Sequence, residues 1–392
     1  MRITYVSNSE IPSRTANSVQ VMKMCQAMAQ SGHDVTLLAP GGSVERLEAV
    51  GSVWHHYGVS PAFRIRWLAI PRSLPDPLPS YLYAARAAAY CCSKGKASLV
   101  YARHLFGALA AARMRRRVVF EAHDLPVTYG RLGPRWFERL LEQASLERLV
   151  VTTHALQEFL DERWPDLLTG NDVVVAPNGV DLERFEQLPD AAEARRRLGI
   201  ASRGFVAGYA GQLYAGRGIE VLLELARRRS DIGFLVVGGD PDAVKAYKDA
   251  VTRQQCTNVT FTGFVASPEL PLLLAACDAL LMPYQPLVTV AGGRVNEAGW
   301  MSPLKVFEYL ASGRAILASR LPVLREVLND DNAVLVNATD IDAWESALDR
   351  LTRDDQWRKS LGTQARRDAE RYTWKHRVET CLQSLTSEPG RA

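Results

Sequence analysis

The amino-acid sequence predicts an α/β protein in which one chain carries two doubly wound parallel sheets. Three observations carry that prediction. Short apolar runs of strand length alternate with longer amphipathic segments, the pattern of parallel strands joined by helical crossovers. The alternation occurs in two separate series, with the turn residues Pro177-Asn178-Gly179 between them. A chain of 392 residues also exceeds what one core usually organises, at roughly 150 residues per domain.

In the first series the strands are Ile3 to Val6, Val35 to Leu38, Ile65 to Ile70, Leu99 to Tyr101, Val118 to Phe120, Leu149 to Thr152 and Val173 to Val175. Helical patterns separate them at Ser18 to Gln30, Tyr81 to Cys92, Leu105 to Arg113, Pro134 to Leu146 and Leu156 to Arg163. Asn17 or Ser18 is expected to cap the first of these helices. The second series has strands at Val206 to Tyr209, Phe234 to Val237, Val259 to Phe261, Ala279 to Met282, Ile316 to Ala318 and Val334 to Val336, again separated by helices. The junction falls in Ala176 to Phe185, giving domains of 1–177 and 185–371. Open sheets of this kind bind ligands at the carboxyl ends of their strands, and two of them imply a ligand cleft.

Composition narrows the function. A net charge of +4 is too small for this length to argue for nucleic acid. The local cluster Arg113-Met-Arg-Arg-Arg117 reads either as a solvated helix end or as a phosphate or anionic-lipid contact. The six cysteines show no Cys-x-x-Cys spacing, so free thiols in a reducing compartment are expected. The chain opens on Met-Arg-Ile-Thr-Tyr-Val, a strand rather than a signal peptide, and no apolar run approaches the roughly 20 residues of a membrane span. A cytoplasmic protein is expected.

Two segments of the second series point to a diphosphate. Ser302-Pro-Leu-Lys-Val-Phe-Glu-Tyr-Leu-Ala-Ser-Gly313 places Pro303 as a first helical residue and Gly313 as the stop. The unpaired N–H groups near Leu304 and Lys305 then make a positive end, to which the Lys305 ammonium adds a full charge. Glu308, one turn past Leu304 and about 6 Å along the axis, suits a ribose diol. A capped amphipathic helix with one Glu is the structural alternative. The second segment runs from Gly208 to Gly218, a strand entering a Gly-rich loop before a helix. Gly211, Gly216 and Gly218 let backbone approach an anion, and Gln212 and Arg217 offer side chains there. Both segments occupy carboxyl-end loops of one predicted sheet. In the first series, Phe120-Glu-Ala-His123-Asp124 ends a buried strand with polar groups. His123 reads as a group meeting a substrate hydroxyl, or as a strand-end histidine bonded to backbone.

These motifs together resemble the family-four glycosyltransferases. The resemblance rests on Asn178-Gly-Val-Asp181 followed by Phe185, the Gly211 to Gly218 loop, Phe234-Leu-Val-Val-Gly-Gly239, Val259-Thr-Phe-Thr-Gly263, Cys277-Asp278 before a strand, and Ser302 to Glu308, all in the family's order. It implies a GT-B fold, two Rossmann-like domains facing across a cleft, with residues 372–392 crossing back to the first domain. It also implies a nucleotide-sugar donor held mainly by the C-terminal domain and a glycan or lipid-linked saccharide acceptor held mainly by the N-terminal one. It further implies that transfer retains anomeric configuration and requires no metal or other cofactor. By the same resemblance Arg217 and Lys305 meet the donor diphosphate, Glu308 holds the ribose, and His123 faces the reacting sugar.

The chain also departs from the family pattern. Gln212 stands where Arg or Ser is usual, and Trp300 stands where a second carboxylate is usual. Arg294 and Glu297 in the neighbouring Gly-rich loop are the candidates to contact the donor sugar instead. Arg14, Asn17 and Ser18 replace a Gly-Gly pattern in the first loop and are the acceptor-side candidates. The stretch from Ser60 to Pro79, with Phe63, Arg64, Arg66 and Trp67, resembles an acceptor-side rim suited to an anionic membrane surface. Because no carboxylate is placed as a nucleophile, front-face transfer is expected rather than double displacement. A sugar-nucleotide epimerase and a non-catalytic nucleotide-sugar-binding scaffold are the rival readings.

Overall fold

A computed structural model describes residues 1–41, 47–48, 51–71, 75, 78–93, 98–200, 204–288, 296 and 298–385. The chain divides into two compact units, one of Met1–Asn178 with Trp374–Ala392 and the other of Gly179–Thr373.

Unit 1 is built on a seven-stranded sheet in the order β3-β2-β1-β4-β5-β6-β7. Its strands are β1 Arg2–Val6, β2 Asp34–Pro40, β3 Arg64–Leu68, β4 Leu99–Ala102, β5 Val118–Ala122, β6 Leu146–Val151 and β7 Val173–Val175. Every pairing is parallel, so each connection is a crossover and the carboxyl ends share one edge. The strand order reverses between β1 and β4, which opens a crevice beyond their carboxyl ends. Two expectations are corrected here. The first helix is Ala16–Gln30, and Thr15 caps it, its side chain accepting from the Ser18 N–H. Thr15 has the extended backbone a cap needs (φ −85°, ψ 147°), whereas Asn17 and Ser18 already lie inside the helix. The helix expected to run to Leu146 is Gly133–Leu141, because Leu146 already begins β6 beside Val118.

Unit 2 is built on a six-stranded parallel sheet in the order β10-β9-β8-β11-β12-β13. Its strands are β8 Val206–Ala210, β9 Gly233–Val237, β10 Val259–Gly263, β11 Ala279–Met282, β12 Ala315–Ser319 and β13 Val334–Val336. The reversal falls between β8 and β11. Its core stacks Tyr209, Phe234, Val236, Leu281 and Leu317 of the strands against helices Ile219–Arg228 and Ile341–Arg353, with Trp344 wholly buried. Among the described residues no helix is long and apolar enough to cross a membrane.

The helix Leu304–Ser312 ends at Gly313 in the left-handed conformation (φ 66°), packed under helix Asp355–Ala369 at Gly362. A Cβ on Gly362 would lie 2.2 Å from the Gly313 carbonyl oxygen. Gly362→Ala therefore forces these helices apart and is expected to lower stability by about 1–3 kcal/mol, read as an earlier urea midpoint at unchanged slope.

Candidate active site

Unit 2 gathers its polar residues where β8 and β11 run out. Tyr309 fixes the helix Leu304–Ser312 there: its hydroxyl accepts from Ala210 N–H at 2.7 Å and donates to the Leu281 carbonyl at 3.3 Å. Lys305, one turn earlier on the same face, is thereby carried under the end of β8. Its ammonium sits 3.8 Å above the centroid of the Tyr209 ring and 4.9 Å from that of Tyr284. Gly211 makes room for it, since a Cβ there would lie 2.6 Å from Lys305 Nζ. Gly218 has a positive φ of 79°, and a Cβ on it would meet the Pro283 carbonyl oxygen at 1.8 Å. The loop is thus held against the strand-end segment that carries Tyr284. Arg217 also lies over that ring, 4.8 Å from its centroid.

Lys305 is buried, and its Nζ makes no hydrogen bond to any described residue. Burial, reinforced by the neighbouring Arg217 charge, pulls its pKa well below the ordinary lysine value; half-buried Glu308 pulls the other way. Pro303 is the residue before the helix and not its first, with an extended backbone (φ −71°, ψ 128°). The prediction is corrected by one position because the ring tolerates that conformation equally well, and Leu304 opens the helix. The Pro303 side chain supplies no cap hydrogen bond at this end. Lys305, Arg217, the start of this helix and the Gly-rich loop thus lie together beyond the ends of β8 and β11.

Gln212 accepts from the Tyr209 hydroxyl through its backbone carbonyl at 2.7 Å, so its place in the loop is fixed by main chain. Gly216 shares the left-handed conformation of Gly218, with φ 81°. Trp300 lies in the turn at 298–300. Arg294 and Glu297 lie outside the described residues.

In unit 1 the reversal between β1 and β4 collects a second group. Arg103, just past β4, donates to the Asn17 carbonyl at 3.2 Å and to Gln20 Oε1 at 2.7 Å. Ser18 is buried and donates to the Thr15 carbonyl at 2.8 Å, while Arg14 and Asn17 are exposed. His123 follows β5, with Nε2 against Glu121 Oε1. Burial, then the Arg103 charge, takes its pKa down to about 4, against the pull of Glu121. Asp124 lies beside it at intermediate exposure. The sequence reading missed Glu121, Arg103, Arg377 and the three tyrosines 209, 284 and 309. The lone acid in Val-Val-Phe-Glu-Ala was the available signal for Glu121; tyrosines near apolar strands carry none.

Residues 18–184 match Glycosyltransferase Family 4 and residues 204–354 match Glycosyl transferases group 1. The chain is 30% identical over 282 residues to a GDP-mannose-dependent alpha-(1-6)-phosphatidylinositol monomannoside mannosyltransferase of Mycolicibacterium smegmatis, covering 70% of this chain and 71% of that protein. It is 28% identical over 264 residues to a D-inositol 3-phosphate glycosyltransferase of Corynebacterium urealyticum, where the match covers 64% of this chain but only 60% of that protein. Solved structures of like fold include a sucrose-phosphate synthase from Thermosynechococcus elongatus (TM-score 0.74, 19% identity, 96% of each chain). Another is Anabaena HepE in complex with UDP (TM-score 0.72, 18% identity, 99% of this chain and 100% of that one). These likenesses establish the GT-B fold. The chain belongs to the family-four glycosyltransferases.

Lys305→Met, close in volume, removes a desolvated cation and is expected to stabilise the unliganded protein by about 1 kcal/mol or more. The pH dependence gives a second signature. Between the depressed folded pKa of Lys305 and the unfolded value of about 10.4, the unfolded chain binds more protons, so wild-type stability rises with pH in that window. The Met variant lacks that component of the rise in denaturant titrations run across alkaline pH.

Proposed function

We propose that the chain transfers a sugar from a nucleoside-diphosphate donor to a hydroxyl of a glycan or lipid-linked saccharide, retaining anomeric configuration and needing no metal. The observation that carries this reading is Lys305, an ammonium held out of water without a hydrogen-bond acceptor among the described residues, beside Arg217 and a helix start. Such a site is costly when empty and favours an entering dianion. Relatives support the substrate classes: HepE was solved with UDP, and the Mycolicibacterium relative is named for a GDP-mannose donor and a phosphatidylinositol acceptor.

In this mechanism Arg217, Lys305 and the N–H groups at Leu304 stabilise the charge that grows on the diphosphate as the bond from anomeric carbon to phosphate oxygen breaks. The acceptor oxygen bonds to the same face of that carbon, and its proton passes to the departing phosphate oxygen. Glu308 binds the ribose diol as a hydrogen-bond acceptor. His123 hydrogen-bonds a substrate hydroxyl, and Arg14, Asn17 and Ser18 serve the acceptor side. In this reading Arg217 and Lys305 balance the leaving charge in place of a divalent ion. We place the reaction in the cytoplasm, and the described cysteines are all free thiols, as suits that compartment.

A specific observation favours contact with an anionic membrane. Arginines elsewhere on the surface include ion-paired ones, as Arg196 and Arg197 are with Glu193 and Arg227 with Glu224. In unit 1, Arg113, Arg115, Arg131, Arg135 and Arg139 have no described carboxylate partner, and Met114, Val127 and Leu132 are exposed nearby in sequence. Arg113 and Arg139 both lie over the Trp136 ring, 5.9 and 5.2 Å from its centroid.

Kinetics with a panel of UDP, GDP and ADP sugars tests the transfer. Arg217→Ala and Lys305→Ala are each expected to lower kcat by about 100-fold or more with the preferred donor. Glu308→Ala should chiefly raise the donor KM and abolish the thermal shift given by the matching nucleoside diphosphate. EDTA should leave the rate unchanged. Wild-type turnover in the Arg217→Ala, Lys305→Ala double variant refutes the assignment, and binding without transfer to any acceptor favours the scaffold. For membrane contact, co-sedimentation with phosphatidylglycerol vesicles is expected and should be lost in Arg113→Glu/Arg139→Glu, with none to phosphatidylcholine vesicles.

A further inference from the structure

Glu121 is wholly buried within β5, and its carboxylate is surrounded from four directions. Oε2 accepts from Arg377 Nη1 of helix Trp374–Leu382 at 3.1 Å and from the Tyr101 hydroxyl of β4. Oε1 accepts from Gln20 Nε2 of helix Ala16–Gln30 at 2.8 Å, with Arg103 Nε 3.8 Å away. On that same Oε1 lies His123 Nε2. The Arg377 pair already matches the carboxylate's charge, so the histidine contact is surplus to what a structural ion pair needs.

His104 shows what a structural histidine looks like in this unit. It is 1% exposed, its Nδ1 accepts from Gly107 N–H at 3.2 Å, and its Nε2 lies 2.7 Å from Ser80 Oγ. Both ring nitrogens are consumed. His123 differs, because Nε2 is held from inside while Nδ1 has no partner among the described residues, and its side chain is 17% exposed at the strand's carboxyl end.

We propose that Glu121 is a positioning residue for His123, holding the ring in the Nε2-protonated tautomer so that bare Nδ1 accepts a hydrogen bond from a substrate hydroxyl. The proposal rests on the glycosyltransfer reading, in which His123 meets substrate. A carboxylate only accepts, so the nitrogen against it must carry the proton. Burial alone would keep Glu121 protonated, but Arg377, His123 and Arg103 outweigh it and hold its pKa well below the usual carboxylate range. The charged groups facing His123 are Glu121 on β5, Arg103 past β4 and Arg377 on helix Trp374–Leu382, with neutral Gln20 alongside. A second proton on the ring would add a third buried cation, so the neutral ring persists through neutral pH. A neutral imidazole with one fixed N–H has one defined acceptor nitrogen; without Glu121 it would sample both tautomers.

The test uses the full chain with 15N-labelled histidine, the His123 signals being those missing from His123→Asn. In the wild type the expected result is one protonated nitrogen, one bare nitrogen and no titration between pH of about 5.5 and about 8.5. A ring that titrates near its ordinary value of about 6.5, or a mixture of tautomers, overturns the proposal. Glu121→Gln strands Arg377 in the interior and can fail to fold, so Glu121→Gln/Arg377→Met removes both members of the pair, and Glu121→Asp retains the charge. The double variant is expected to mix tautomers and lose kcat at least about tenfold. Its donor KM and nucleoside-diphosphate affinity should be unchanged, and Glu121→Asp should recover part of the rate. A double variant with wild-type tautomer and kcat overturns the proposal. Absence of transfer by the wild type with every donor counts against the glycosyltransfer reading instead, and the nitrogen signals still decide the tautomer.

Discussion

Keeping an ionised group out of water costs several kcal/mol unless partners replace the lost hydration, and the two units meet that constraint in opposite ways. Glu121 is surrounded by donors from one neighbouring strand, two helices and the turn beyond β5, so its charge fastens those elements together. Lys305 is offered two aromatic faces, an adjacent arginine and no hydrogen-bond acceptor among the described residues. The first arrangement is closed, and the second leaves its ammonium without a hydrogen-bond acceptor among the described residues. Positions as varied as Gly211, Tyr309 and Arg377 make sense through these two groups.

The architecture was legible in the sequence because a parallel sheet buried on both faces must be written in continuous apolar runs. Strands β4, β9, β11 and β12 fall on such runs, whereas the edge strands β3 (Arg-Ile-Arg-Trp-Leu) and β10 (Val-Thr-Phe-Thr-Gly) interleave polar residues. The places where the reading slipped are helix ends, where the decision rests on local backbone geometry. Thr15 captured the cap from Asn17 and Ser18 by adopting the extended conformation one turn earlier, and Leu146 was drawn from a helical pattern into β6 by pairing with Val118.

The candidate site was legible only in part. Lys305, Arg217 and Glu308 stand out because glycines and a proline mark the backbone around them. Tyr209, Tyr284 and Tyr309 do not, since an aromatic residue near an apolar strand is ordinarily core, and nothing in its spacing reveals that a ring will face a cation. Glu121 was visible as an acid inside an apolar run. Its partners were not, because Arg377 lies 256 residues away in sequence and only the folded chain brings them together.

That separation bears on how the protein is made. Unit 1 is discontinuous, interrupted by the whole of unit 2, and its buried carboxylate acquires Arg377 only after Gly179–Thr373 has been translated. A ribosome therefore releases the elements of unit 1 long before it supplies the cation they enclose. Until then the acid inside the nascent sheet has Gln20, Tyr101 and His123 as hydrogen-bond donors and Arg103, 3.8 Å away, as its arginine neighbour. The last helix thus acts as a latch on the first domain, and the order of synthesis makes the completion of unit 1 follow the synthesis of the domain inserted within it.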